Sequence, residues 1–152
     1  MKKIIFVVMF IIVACAPAPI NIYPTRHPTP TLAINTRPIE DTEKEEALNF
    51  FYELKIQMAL GEYEHFTEEV RYPITAKVDG QPKAFVFAVE FEVNFKKVFS
   101  EAVIQKFIST DESELTFTPS GVKVADGIIW FDLICLDPAC ENAEFLITEI
   151  NN

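Results

Sequence analysis

The chain is poor in the residues that form the most recognisable catalytic sites. Its 152 residues include only four glycines, one tryptophan and two histidines. No glycine-rich phosphate-binding loop and no histidine cluster of metal-binding spacing can be found. No serine or cysteine nucleophile has a base close to it in the sequence. The sequence thus contains no constellation that identifies an enzyme, and no metal or other cofactor is expected.

Basic residues are also scarce. Thirteen lysines and arginines stand against 23 aspartates and glutamates, which gives a formal net charge of −10 at pH 7. A chain this acidic is repelled by nucleic acid phosphates and by anionic lipid head groups. Nucleic acid is therefore excluded as a partner, and the body of the protein is expected to stand away from a membrane surface.

The longest apolar run is too short for a transmembrane helix. It covers residues 4–14, whereas a helix needs about 20 residues to cross the hydrocarbon layer. The run follows Lys2 and Lys3, so the pattern is that of a secretory signal peptide with a basic region and an apolar region.

The end of this run, Ile12-Val13-Ala14-Cys15, resembles the lipobox of bacterial lipoproteins. The resemblance implies that residues 1–14 are a signal peptide cut off before Cys15, and that the Cys15 sulfur carries a diacylglycerol. Membrane lipid is then a partner through the acyl chains, with the protein on the extracytoplasmic side of the cell membrane or the outer membrane. Cleavage would bring the formal charge from −10 to −12, because two lysines are lost. The alternatives are an uncleaved apolar anchor and an ordinary signal peptide followed by a chance cysteine.

The segment from residue 15 to residue 41 is predicted to be the lipidated cysteine and a linker. Residues 16–38 hold six of the ten prolines, interleaved with threonines and without apolar periodicity. Such a segment is a semi-rigid spacer, extending at about 3.1 Å per residue.

Residues 42–152 are predicted to form one domain of ordinary size. The chain is 49% hydrophobic, and 12 of its 14 phenylalanines lie between residues 50 and 145, so a substantial aromatic core is available. Phenylalanine-rich interiors either pack solid or line an apolar pocket. Phe91, Phe95 and Trp130 are the residues expected in that core or pocket.

Helical patterns dominate the first half of the domain. A capping box at Thr42-Glu43-Lys44-Glu45 predicts a helix that ends at Gly61 and buries Ala47, Phe51, Leu54 and Met58. A short second helix follows, with Tyr63, Phe66 and Val70 on one side. Phe91, Phe95, Val98 and Phe99 have the spacing of a third helix, which residues 103–108 continue or follow as a separate helix.

Strand patterns dominate the second half. Strands are predicted over residues 71–78, 84–89, 115–118, 122–124, 128–136 and 144–150, with Asp79-Gly80 as a hairpin turn after the first of them. Helices followed by a meander of strands predict an α+β fold, with helices packed on an antiparallel sheet.

Four stretches carry a resemblance to a superfamily: "EYEHFTEEVRYPITAKVDG", "FEVNFKKVFSEAVIQKFI", "FTPSGVKVADGIIWF" and "FLITEIN". In order and spacing they resemble the nuclear-transport-factor-2-like (cystatin-like) superfamily. The resemblance implies a cone-shaped domain with a curved sheet around a pocket, but it includes no catalytic signature. Another small α+β sandwich is the alternative.

Asp132 is the one candidate catalytic residue. Strand alternation puts Trp130, Asp132 and Ile134 on one face, so the carboxylate has apolar neighbours that could raise its pKa, as a general acid or base requires. The favoured interpretation is that Asp132 lies on a solvated convex face, paired with a lysine. An active site would need a second polar group beside Asp132, such as Tyr52, Tyr72 or His65. His65 by itself is expected on the surface.

Cys135 and Cys140 are predicted to form a disulfide, since they flank a turn that contains Asp137-Pro138 and lie on the arms of a predicted hairpin. The rival is a metal site, but two thiols without a nearby histidine cannot complete a tetrahedral set of ligands.

Two functions remain open at this point. The first is a membrane-tethered, non-catalytic binding or accessory module that holds a protein or a small apolar ligand. The second is a small lyase, isomerase or hydrolase that uses a pocket carboxylate such as Asp132. The lack of a constellation favours the first.

We predict that Cys15 is acylated, because the apolar run, the small residue before the cysteine and the proline-rich linker all converge on it. Cells fed a fatty-acid analogue should label the wild-type chain, and the Cys15→Ser variant should lose that label. Equal labelling of the two chains would disprove lipidation at this residue.

Overall fold

A computed structural model describes residues 39–152 of the chain. The predicted signal peptide, Cys15 and most of the predicted linker lie outside these residues. Within them the α+β prediction is confirmed: the first part is mainly helical, and the second part is a four-stranded antiparallel sheet. The helices are α1 (Asp41–Leu60), α2 (Tyr63–Glu68), α3 (Ala88–Val98) and α4 (Glu101–Ser109). The strands are β1 (Ile74–Val78), β2 (Gln81–Phe85), β3 (Thr116–Thr118), β4 (Gly121–Val124), β5 (Ile129–Cys135) and β6 (Ala143–Ile150).

Helix α1 buries the face that its sequence predicts. Ala47, Phe51, Leu54 and Met58 are all buried, and Gly61 ends the helix in the left-handed conformation with φ 74°. The predicted capping box was wrong in position, because the helix begins at Asp41. The side chain of Glu43 accepts a hydrogen bond from the Glu40 N–H at 2.8 Å. The capping box is therefore formed by Glu40 and Glu43, two residues earlier than the predicted Thr42 and Glu45.

The first predicted strand is shorter than its sequence pattern. Strand β1 begins only at Ile74, after a cis peptide bond between Tyr72 and Pro73. Residues 69–71 instead run along the outer edge of β6, where Ile147 exchanges backbone hydrogen bonds with Glu69 and Arg71 at 2.8 and 2.9 Å. These residues therefore cover part of an edge that would otherwise expose unpaired backbone groups.

Asp79-Gly80 forms the predicted hairpin turn, and both residues have positive φ, at 53° and 79°. A two-residue turn requires β2 to start at the very next residue, Gln81, which pairs with Val78. The strand predicted over residues 84–89 was therefore placed too late, since β2 ends at Phe85 and α3 begins at Ala88.

The side chain of Asn152 fastens this hairpin to the rest of the domain. Its Oδ1 accepts from the Lys77 N–H at 2.7 Å, while its Nδ2 donates to the carbonyls of Lys77 at 2.7 Å and Val98 at 2.6 Å. One amide thus joins the outer edge of β1, the end of α3 and the residues that follow β6.

The apolar periodicity of the third helix is divided between two helices. Helix α3 ends at Val98, and α4 starts after Ser100, whose hydroxyl accepts a hydrogen bond from the Val103 N–H at 3.4 Å. Serine is a preferred N-cap residue, so the break occurs where the sequence provides a new cap.

Aromatic rings fill the space between the helices. Phe66 of α2 makes edge-to-face contacts with Phe95 and Phe99 at ring-centroid distances of 5.3 and 5.7 Å. Phe91 packs against Phe85 of β2 at 4.9 Å, and Phe107 of α4 packs against Phe51 of α1 at 5.8 Å. Each of these rings is at most 1% exposed, so they form one solid aromatic cluster.

Helix α1 joins this cluster to the sheet. Phe50 lies 5.1 Å from Phe131 of β5 and 5.9 Å from Phe145 of β6, measured between ring centroids. One face of the β5–β6 pair therefore packs on α1, and the residues that alternate with Phe131 and Phe145 point to the other side.

We predict that Phe95→Ala lowers the free energy of unfolding by about 3–5 kcal/mol, because Phe95 contacts four other aromatic rings and is 1% exposed. Val93→Ala on the same helix is the matched control, since Val93 is 79% exposed and should change stability by only about 0.5 kcal/mol. Denaturant unfolding measures both variants. Equal stability of the two would show that the aromatic cluster does not hold α3.

Candidate functional site

Asp132 lies in the middle of β5, between two residues that pack on α1. Phe131 and Leu133 belong to the hydrophobic core, so the Asp132 side chain is on the opposite side of the sheet, together with Ile134. The structure thus has the alternation that the sequence predicts. Across the strand, Asp132 pairs with Leu146 of β6.

The prediction that Asp132 is a solvated residue paired with a lysine was wrong. Its side chain is 5% exposed, and no ion pair to a lysine is made within residues 39–152. Its Oδ1 accepts a hydrogen bond from the Leu133 N–H at 2.8 Å. Burial raises the pKa of the Asp132 carboxyl; that hydrogen bond opposes the rise, and the negative charge of Glu43 adds to it.

Gly121 of β4 lies directly against Asp132. A Cβ atom on Gly121 would be 2.6 Å from the carbonyl oxygen of Phe131 and 3.1 Å from the Cβ of Asp132, and Gly121 has φ 111°. Only glycine fits both the backbone conformation and the close approach. Nothing in the sequence indicates that Gly121 and Asp132 meet, so this role of Gly121 could not be predicted from it.

The three polar residues that could complete an active site with Asp132 are engaged elsewhere. The Tyr52 hydroxyl donates to a carboxylate oxygen of Glu112, and the Tyr72 hydroxyl donates to the Thr67 carbonyl at 2.9 Å. His65 is exposed on α2, where its Nδ1 lies 3.4 Å from Glu68. The structure therefore brings none of the three into hydrogen-bonding contact with Asp132.

Trp130 is not a core residue. It is half-buried on β5, and the ammonium group of Lys123 on the neighbouring strand lies 4.6 Å from the centre of its ring. This is a cation–π contact between a cross-strand pair on the two central strands of the sheet. Phe91 and Phe95, by contrast, are both in the aromatic cluster and line no open cavity among those found next to residues 39–152.

An open surface hollow of about 310 Å³ lies at the junction of α1, α2 and α3. It is lined by Gly61, Glu62, Tyr63, Glu64, His65 and Glu92. Its rim is strongly acidic, yet residues 39–152 contain no group of three or more histidine, cysteine or carboxylate side chains arranged to hold a metal ion. Asp132 is not among its lining residues.

Cys135 and Cys140 form a disulfide in the structure, with their Cα atoms 4.8 Å apart. The loop between them is organised by Asp137, whose carboxylate accepts hydrogen bonds from the N–H groups of Ala139, Glu141 and Asn142. The bonds to Asn142 do most to lower the pKa of Asp137. The Asp137 carboxylate therefore holds the backbone of this loop through hydrogen bonds, and the disulfide joins the two ends of the loop.

No family model, no curated protein and no solved structure matches this chain. Among residues 39–152 there is likewise no helix with the length and apolarity needed to cross a bilayer. The superfamily resemblance and the lipobox resemblance therefore stay predictions.

We predict that Asp132→Asn stabilises the protein at neutral pH. A raised pKa means that folding favours the protonated carboxyl, so wild-type stability falls as the pH rises from the unfolded-state pKa, about 3.9, through the folded-state pKa. Asparagine has no charge to bury and its carbonyl can still accept the Leu133 N–H. The advantage of the variant should shrink as the pH is lowered to about 4.

Asp137→Asn is the matched control with the opposite sign. Its pKa is lowered in the fold, so its stabilisation is present above the unfolded-state pKa and is lost as the pH falls through the folded-state pKa. The variant should be less stable than wild type at neutral pH, with the difference shrinking in acid. Unfolding free energies measured across a pH series test both variants, and a destabilised Asp132→Asn at pH 7 would contradict the assigned pKa direction.

Proposed function

We propose that this protein is an exported lipoprotein, tethered to the membrane through Cys15, whose domain is a non-catalytic binding or accessory module. We propose further that the domain is of the nuclear-transport-factor-2-like type. The α+β order of elements and the long first helix packed on an antiparallel sheet support that assignment at the level of architecture.

The observation that carries the non-catalytic role is the dispersal of the candidate polar groups. A catalytic constellation needs an acid or base, a second polar group and a space between them. Asp132 accepts a hydrogen bond from its own neighbour, whereas Tyr52 and Tyr72 donate to groups in other parts of the domain. These bonds hold each group in a structural role.

The packing of the interior favours a protein over a small apolar ligand as the partner. The place where a cone-shaped domain would hold a ligand is occupied by rings from α2, α3 and α4, all at most 1% exposed. A ligand would have to displace rings that contact each other, at a cost comparable to that of opening a core cavity. Recognition by the outer surface of the domain requires no such displacement.

A specific observation also favours the second candidate, a small lyase, isomerase or hydrolase. Asp132 is 5% exposed and burial raises the pKa of its carboxyl, the direction that a general acid requires. In that case a substrate would have to reach Asp132 and bring its own polar groups to the site.

The two candidates are separated by complementation of a strain that lacks the gene. As a tethered module, the protein should complement the strain with Asp132→Asn as well as with wild type, whereas Cys15→Ser should fail because the domain is released from the membrane. Immunoblots of membrane and soluble fractions check that each variant is present and show where it is. Loss of complementation by a stable, membrane-bound Asp132→Asn would overturn the module and support the enzyme.

A further inference from the structure

Helix α3 and the two residues before it carry an exposed apolar surface, which we call the Phe87 patch. It consists of Val86, Phe87, Val89 and Val93, which are 51%, 67%, 65% and 79% exposed. An isolated exposed valine needs no explanation, but four large apolar side chains exposed within eight residues do. These four are half of the large apolar residues that are exposed within residues 39–152.

The patch is exposed because α3 uses its other face for the core. Phe91 and Phe95 turn inward, so Val89 and Val93, four residues apart, lie together on the outer face. Lys96 and Lys97 follow Val93 by three and four residues and continue the same face toward the end of the helix. No carboxylate of residues 39–152 lies within ion-pair distance of either lysine.

Charge is distributed unevenly along residues 39–152. Residues 71–97 hold five of the nine cationic side chains in residues 39–152 but only three of the 23 carboxylates. This segment has a formal charge of +2, whereas the remainder of residues 39–152 has −16. The segment that carries the patch therefore has a charge opposite in sign to that of the rest of residues 39–152, taken together.

The acidic groups near the patch do not reverse this balance. Glu90 is paired with Lys83, whose Nζ lies 3.1 Å from its Oε1, and Asp79 is in the hairpin turn. Glu92 lines the acidic hollow beside α2. Lys96 lies 5.7 Å from the centre of the Tyr63 ring of α2, on the side of the hollow, so Lys97 is the cation left to the patch.

We propose that the Phe87 patch docks into the boundary between head groups and acyl chains of an anionic phospholipid bilayer. The proposal rests on the proposed tethering through Cys15, which would keep the patch close to that surface. Apolar side chains flanked by lysines bind this boundary by burying apolar area and by attraction to anionic lipids. The excess of negative charge elsewhere would orient the domain with the patch toward the bilayer.

A second copy of the chain is a poorer occupant. A stable dimer buries about 800 Å² on each partner, which four side chains cannot supply by themselves. Two copies also repel each other through their net negative charge.

The predicted linker is long enough for this arrangement. The described chain starts at Ile39, next to the beginning of α1, while α3 packs against α2, which follows the end of α1 in the chain. Helix α1 has 20 residues and so spans about 30 Å. Residues 16–38, if extended, reach about 70 Å. The linker can therefore cover the length of the domain and still allow the patch to face the membrane.

Tryptophan fluorescence of the full-length chain reconstituted in vesicles tests the proposal. The vesicles contain phosphatidylethanolamine and phosphatidylglycerol, with or without bromine atoms on the acyl chains as quenchers. Phe87→Trp is introduced in a Trp130→Phe background, so that one tryptophan reports on the patch. Leu60→Trp in the same background is the matched control, since Leu60 and Phe87 are both 67% exposed.

Docking predicts that brominated lipid reduces the emission at position 87 about twofold or more, with little effect at position 60. Reversal of charge at Lys97 (Lys97→Glu) should weaken this quenching, whereas Lys44→Glu, with the same net charge, should not. High salt should also weaken it, because screening reduces the attraction of lysines to anionic lipids.

Each other result overturns the proposal in a distinguishable way. Chains that float with the vesicles but show no quenching at position 87 would keep the tether and reject the docking. A blue shift at position 87 without quenching by bromine would assign the patch to a second copy of the chain. Chains that fail to float with the vesicles would reject both the tether and the docking that depends on it.

Discussion

The packing of phenylalanine rings between the helices is the interaction on which the rest of the domain depends. Phe95 alone contacts rings from α2 and two further rings in its own segment, and Phe91 connects that segment to β2. Edge-to-face contacts of this kind fix the mutual angles of the helices as well as burying apolar area. The hairpin of β1 and β2 is held from one side by this cluster and from the other by the side chain of Asn152.

The filled interior bears on the proposed binding role. Under that proposal, rings packed between the helices leave recognition to the outer surface of the domain. Three features of different chemistry have been described in residues 39–152. Two are on the surface, the acidic hollow beside α2 and the Phe87 patch on α3, and the third is the buried carboxyl of Asp132 on β5. Within residues 39–152, the hollow has no group of side chains arranged to hold a metal ion, and none of Tyr52, Tyr72 and His65 is hydrogen-bonded to Asp132. The patch is the one feature in which apolar exposure and charge distribution point to the same kind of surface.

The segregation of charge changes what the acidity of the chain implies. A net charge of −10 predicts repulsion from an anionic membrane if the charge is spread evenly. The charge is not spread evenly, since residues 71–97 are slightly basic and the remainder of residues 39–152 is strongly acidic. A tethered domain with this distribution can be repelled on most of its surface and still have one preferred orientation toward lipid.

Features with a short-range cause were predictable from the sequence. The buried face of α1 and its end at Gly61 follow from helical periodicity and from the conformational freedom of glycine. Asp79-Gly80 determines its turn by its own backbone preferences, and Cys135 and Cys140 are brought together by a turn only four residues long. At the start of α1 and of β2 the predicted element is present but its boundaries were wrong, because capping and strand register depend on which neighbouring residues pair.

Features that depend on contacts distant in the sequence were decided by the tertiary structure. Strand alternation places Asp132 on one face of β5, but it cannot say that the face is buried there or that Gly121 leaves room beside it. The Tyr52 hydroxyl donates to Glu112, which is 60 residues further along the chain, and no periodicity contains that information. Side-chain burial is a property of the assembled layers, so a strand pattern alone could not distinguish a solvated carboxylate from a desolvated one.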